Sequence, residues 1–153
     1  TIHTNDAPGA FTRLIDMGVE PFLVSSSLVA ILAQRLVRQL CSECKEPHSP
    51  TSTELADLGI SRLPAGTIYR ANGCAECNHK GYSGRSGIYE LLVVEDDIRA
   101  LVVAGKPTGV VRKAAIANGL NTLRDDGIRK VLEGVTSLDE VRRVTQEDAA
   151  EAD

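Results

Sequence analysis

Tryptophan is absent from this chain of 153 residues, and aromatic side chains make up only 3% of it. A core must therefore be built from Leu, Val, Ile and Ala, and platforms on which bases could stack are scarce. No apolar run approaches the roughly 18 residues that cross a bilayer as a helix, and no signal-peptide pattern opens the chain. Positive charge is not in excess: the formal net charge is -4, so nothing draws the chain as a whole to nucleic acid or anionic lipid. The phosphate-cradling pattern G-x-x-x-x-G-K-[ST] occurs nowhere. An initiator methionine is also missing, the single Met being Met17, and the opening "TIHT" has the apolar-plus-hydroxyl character of a buried strand end. The chain reads as a piece of a larger protein, removal of a leader being the alternative.

What remains is ordinary for a soluble globular chain: 42% hydrophobic and 25% charged residues, long enough for one domain or two small ones. Asp6 is placed to cap a helix with Pro8 in its first turn, Phe11, Leu14 and Ile15 follow at helical spacing, and Gly18 stops it. In "PFLVSSSLVAILAQRLVRQL" the first part suits a buried helix and "RLVRQL" alternates as a strand. Thr51 and Glu54 have capping-box spacing before Gly59, which predicts a short helix. Pro47, Pro50 and Pro64 break the middle of the chain into loops. "SGIYELLVV" is the clearest strand, and it can pair antiparallel with "RLVRQL". Four helical stripes follow, through Ile98, Val111, Ile128 and Val141, the last opened by a Ser137–Glu140 capping box. Asp125 and Asp126 sit where a helix N-terminus favours carboxylates. The final "QEDAAEAD" predicts a frayed tail.

Cysteine is used four times, always in pairs: Cys41 and Cys44, then Cys74 and Cys77. Two C-x2-C turns present four thiolates, which meets the tetrahedral demand of zinc. The intervening segment is longer than the usual ~15–20 residues, and the helix predicted at "TSTELADLG" takes up the surplus. Gly73, Gly81 and Gly84 supply the φ freedom such turns need. A pair of disulfides is a weaker alternative, because the setting reads as cytosolic. A redox pair is weaker still, because that chemistry needs one Cys at a helix start after a strand. With four sulfurs filling four positions, His48 and His79 are not needed as ligands, no site is left for an activated water, and the role is structural. Between residues 40 and 85, five basic residues offset five acidic ones, which argues against a nucleic-acid-binding ribbon.

Taken in order, "HTNDAPGAFTRLIDMGVEPFLVSSSL", "AQRLVRQLCSEC", "CAECNHKGYSGRSGIYELL" and "LRDDGIRKVLEGVTSLDEVRRVT" resemble the type II secretion ATPases, the E components of a superfamily shared with type IV pilus motors. The resemblance runs from Thr1 to about Thr145. It implies an α/β fold: the C-terminal part of a RecA-like core (1–40), an inserted tetracysteine zinc module (41–84), a return strand (85–97), a small helical bundle (98–145) and a disordered tail (146–153). It implies a homo-hexameric ATPase on the cytoplasmic face of the bacterial inner membrane, held there by membrane platform proteins and using ATP and Mg in its full length. A pilus-assembly ATPase is the neighbouring possibility, and a free-standing zinc adaptor for protein partners is the possibility from another class. Because the P-loop is missing, this piece is expected to be inactive alone.

The same resemblance places His3 in the family's His box, near the terminal phosphate or the attacking water, with Arg13 part of the same box as a nucleotide contact. Read without it, His3 caps a strand-to-helix turn and Arg13 is an exposed helix arginine. Arg35 and Arg38 are candidates for facing a neighbouring subunit. The metal ligands expected are Cys41, Cys44, Cys74 and Cys77.

Overall fold

The computed structural model describes residues 4–57, 59–62 and 67–145. His3, Pro64 and the tail at 146–153 lie outside the described residues. The fold is mixed α/β and divides into two compact units: one takes residues up to Gln34 with Tyr89–Leu123, the other Arg35–Ile88 with the segment from Arg124. Two long strands, β1 (Ala30–Leu40) and β4 (Tyr82–Val93), pair with each other and contribute to both units. Their pairing is antiparallel: the Val94 N–H donates to Val29 O at 2.9 Å, and the Cys41 N–H to Gly81 O at 3.0 Å. Both strands begin earlier than the alternation in "RLVRQL" and "SGIYELLVV" indicates, because pairing extends a strand past its own propensity.

In the first unit, α1 (Gly9–Asp16) starts where Asp6 accepts the Gly9 N–H at 2.8 Å, the capping role expected of it. α2 (Pro21–Ser27) follows, then the start of β1, the end of β4, α4 (Asp96–Val103) and α5 (Thr108–Ala117). Ala7, Phe11, Val24, Leu92, Val94, Ile98, Val102, Val111 and Ala115 form the core. Phe11 is the one aromatic in it, so aliphatic packing carries this unit, at roughly 1.5–3 kcal/mol for each large side chain removed from water. The helix expected at "PFLVSSS" is not buried throughout: Val24 is, but Phe22 and Leu23 are exposed.

The second unit holds β2 (Glu46–His48), α3 (Ser52–Asp57), β3 (Ile68–Arg70), α6 (Leu123–Leu132, from Arg124 onward) and α7 (Leu138–Thr145). The capping box at α3 forms: Glu54 Oε2 accepts the Thr51 N–H at 2.6 Å, and Thr51 Oγ1 accepts the Glu54 N–H at 3.2 Å. β2 and β3 pair antiparallel with Pro47 opposite Tyr69, so one of the prolines read as a loop marker sits in a strand. A two-stranded ribbon allows this, since an edge residue need not donate to a neighbour. Ile68, Val131, Leu138 and Val141 form this unit's core cluster.

The α7 capping box is only half made. Ser137 Oγ accepts the Glu140 N–H at 3.3 Å, but the Glu140 carboxylate turns to two arginines instead. It accepts Arg38 Nη2 at 2.7 Å, the Arg38 backbone N–H at 3.1 Å and Arg143 Nη2 at 2.5 Å, while itself fully buried. The Arg38 guanidinium also lies 4.1 Å over the Tyr82 ring. Thr136 Oγ1 donates to Arg38 O at 2.8 Å and the Leu40 N–H to Val135 O at 2.9 Å, which stitches the end of β1 to the turn before α7. Burial pushes the Glu140 carboxyl up, but the bonds from Arg143 and Arg38 outweigh it and hold it at about 2.

A depressed folded value means stability that is full above the ordinary carboxyl range and is lost as pH falls toward about 2. Denaturation of the wild-type chain should therefore show stability dropping as pH is lowered below about 4.5. Glu140→Gln should cost about 2 kcal/mol at pH 7 and flatten that acid dependence; an unchanged acid limb in the variant would contradict the assignment.

Candidate metal centre

The first knuckle grows out of β1. Cys41 is buried at its end, and a tight turn in which the Cys44 and Lys45 N–H groups donate to Cys41 O returns the chain at Cys44. The second is a single 3-10 turn, Ala75–Cys77, followed by Asn78 and His79, both in the left-handed region. Glycine is required on either side of that turn. Gly73 has φ +124°, and a Cβ there would lie 2.8 Å from His79 O. Gly81 has φ +74°, and its Cβ would lie 2.6 Å from that of Ala71.

The four sulfurs converge, all within 4.8 Å of one another. Cys41–Cys74 Sγ are 3.9 Å apart, while Cys44–Cys77 and Cys74–Cys77 are each 3.8 Å apart. A tetrahedral ion with bonds of about 2.3 Å to sulfur requires edges of about 3.8 Å, whereas a disulfide needs about 2.05 Å. None of the four is bonded to another, so the structure forms neither of the disulfides that were the alternative. Backbone N–H groups point at the sulfurs: Gly73 to Cys44 at 3.3 Å, Cys74 to Cys77 at 3.2 Å and Gly81 to Cys77 at 3.1 Å. The Cys74 N–H, aided by that of Gly81 against the effect of burial, brings the Cys77 thiol down to about 6. Burial pushes Cys44 up to about 12. Four thiolates this close repel one another, and a cation is what allows all of them to ionise together. The cluster can hold a metal ion.

Packing around the knuckles is polar. Lys45 Nζ donates to Gly134 O at 3.0 Å and lies 4.6 Å over the Tyr69 ring. Glu46 accepts from Asn72 at 2.6 Å, and His48 pairs with Glu54 at 2.9 Å instead of approaching the sulfurs. His79 is exposed. The ribbon of β2 and β3 together with α3 accounts for the length between the cysteine pairs.

Of the two nucleotide candidates, only Arg13 is among the described residues, and it belongs to the first unit. His3 lies outside the described residues; Arg13 is exposed on α1, where it lines a shallow cleft of about 350 Å³ with Thr4, Asn5, Asp6 and Asp16. Asp6 is engaged there by Arg112 Nη1 at 2.7 Å. Sequence reasoning passed over Glu90, a buried carboxylate on β4. Its signal was the two-residue period of the strand, which puts it in phase with buried Ile88 and Leu92.

Elemental analysis of the purified chain is expected to find about one metal ion per chain, retained at neutral pH and released by acid or a strong chelator. Removing it, or substituting Cys74→Ser, should raise amide exchange chiefly across residues 41–81 while the core around Phe11 keeps its protection. A metal-free sample with full protection in that segment would refute the site.

A family model described as Type II/IV secretion system protein matches residues 1–143. The type II secretion system protein E of Pseudomonas aeruginosa is 52% identical over 148 residues, covering 97% of this chain and 29% of that protein. The type II secretion system ATPase E of Vibrio cholerae is 50% identical, covering 96% of this chain and 29% of its own length. The type IV pilus assembly ATPase PilB of Thermus thermophilus is 47% identical, covering 92% and 16%. This chain thus spans less than a third of the length of these relatives, and it belongs to the type II/IV secretion system protein family.

Proposed function

We propose that this chain is the C-terminal portion of a cytoplasmic, hexameric ATPase that powers type II protein secretion at the inner face of the inner membrane. The observation that carries this reading is the match along nearly the whole chain to proteins named as type II secretion components, one of them as an ATPase. In this reading residues 1–40 and 85–97 belong to a RecA-like core, 41–84 form a zinc module and 98–145 a helical subdomain. The sulfur spacing supports zinc, because four thiolate ligands in a closed tetrahedron suit a redox-inert d10 ion and leave no position for water. Zinc is then structural: Cys41, Cys44, Cys74 and Cys77 hold it, and it clips together the two ends of a segment with a small core of its own.

Nucleotide chemistry belongs to the full-length protein, which would bring ATP and Mg to a P-loop that this sequence does not contain. His3 would meet the terminal phosphate or the attacking water, with Arg13 a further nucleotide contact. Neighbouring subunits and inner-membrane platform proteins are the partners, with no nucleic acid. A pilus-assembly motor is the second reading, favoured by 47% identity to a PilB protein. The cleft beside Arg13 gives an adaptor that never meets nucleotide less support.

The complete gene product is expected to hydrolyse ATP and this segment alone is not. His3→Ala in the complete protein should lower kcat by about a hundredfold while nucleotide affinity changes little. A complete protein without a P-loop or ATP turnover would overturn the proposal.

A further inference from the structure

Glu90 is 1% exposed, and a leucine in its place would satisfy the strand equally well. What the carboxylate does that a leucine cannot is grip two distant backbones. Its Oε1 accepts the Ala7 N–H at 2.8 Å, and its Oε2 the N–H of Leu123, the first residue of α6, at 3.2 Å. The loop carrying Ala7 is held from its other side as well. Asp6, next in sequence, accepts the Gly9 N–H at 2.8 Å and Arg112 Nη1 of α5 at 2.7 Å. Thr4–Pro8 thus runs between two clamps, one from β4 and one from α5. Asp6 and Arg112 are the charged groups that act on Glu90, and burial raises its carboxyl above the ordinary range despite the two N–H bonds. The cleft bearing Arg13 is lined by Thr4, Asn5 and Asp6 of this same loop.

We propose that Glu90 and Arg112 are positioning residues for the nucleotide site, fixing the loop Thr4–Pro8 so that the residues around it meet the nucleotide in one geometry. This rests on the ATPase reading above. Neither side chain need touch the nucleotide; each acts through the loop. A hold of this kind affects the reacting geometry more than ground-state binding, because small displacements of an aligned group weigh on the transition state.

The test uses the complete gene product, with steady-state ATP hydrolysis and amide exchange at Ala7 and Leu123. Glu90→Gln keeps the shape of the side chain but turns a donor amide toward one of the two N–H groups. It is expected to lower kcat at least about tenfold with KM within about twofold, and to speed exchange at both amides. Glu90→Asp, which keeps the charge, should recover part of the loss. Wild-type kcat in Glu90→Gln with Ala7 protection lost overturns this inference alone, as does a rise in KM at unchanged kcat. If Glu90→Gln does not fold, Arg112→Met decides by the same split between kcat and KM. A wild-type protein that does not turn over ATP overturns the ATPase reading and this inference together.

Discussion

Four sulfur atoms within 4.8 Å of one another, three of the pairs at 3.8–3.9 Å and so close to the edge of a metal tetrahedron, are the constraint around which the second unit is organised. Local helices cannot bring Cys41 and Cys74, 33 residues apart, into register. What does so is the antiparallel pairing of β1 and β4, which ends with the Cys41 N–H on Gly81 O. Gly73 before the second pair, and Asn78, His79 and Gly81 after it, take positive φ, and backbone N–H groups around the pair face sulfur. A cation at the centre would turn mutual repulsion among thiolates into the cohesion of the segment they enclose.

The end of β1 is anchored independently by the Glu140 carboxylate, which collects Arg38 and Arg143 in a fully buried position. Burying a carboxylate costs several kcal/mol unless its lone pairs are satisfied, and here charged donors from two elements satisfy them. Arg38, a candidate on sequence grounds for a contact with a neighbouring subunit, is stacked on Tyr82 and bonded to Glu140 within its own unit, with 46% of its side chain exposed. The first unit contains a counterpart whose hydrogen-bond partners are uncharged. Glu90 meets only backbone donors, and its bonds set where the loop before α1 runs. The two carboxylates differ in their partners, and their pKa values move in opposite directions for that reason.

Much of this architecture was legible in the residues. Helix starts at Asp6 and Thr51, the strand in "SGIYELLVV" and the paired cysteines are signals whose partners lie three or four residues away or repeat with a short period. The ribbon of β2 and β3 was not legible, because Pro47 speaks against a strand and its partner Tyr69 lies across the helix α3. The Ser137–Glu140 spacing pointed to a complete capping box, yet a stronger pair of cationic donors took the carboxylate.

The sequence by itself determined the four sulfurs as a set, the caps, the strand that follows the insertion and the family to which the motifs belong. These depend on residue type and near spacing, which a chain carries before it folds. Only the tertiary structure decided that Glu140 meets a residue 102 positions away and that Glu90 reaches one 83 positions away. Spacing along the chain holds no record of such pairings, because they are chosen when strands align and water is expelled from around the charged groups.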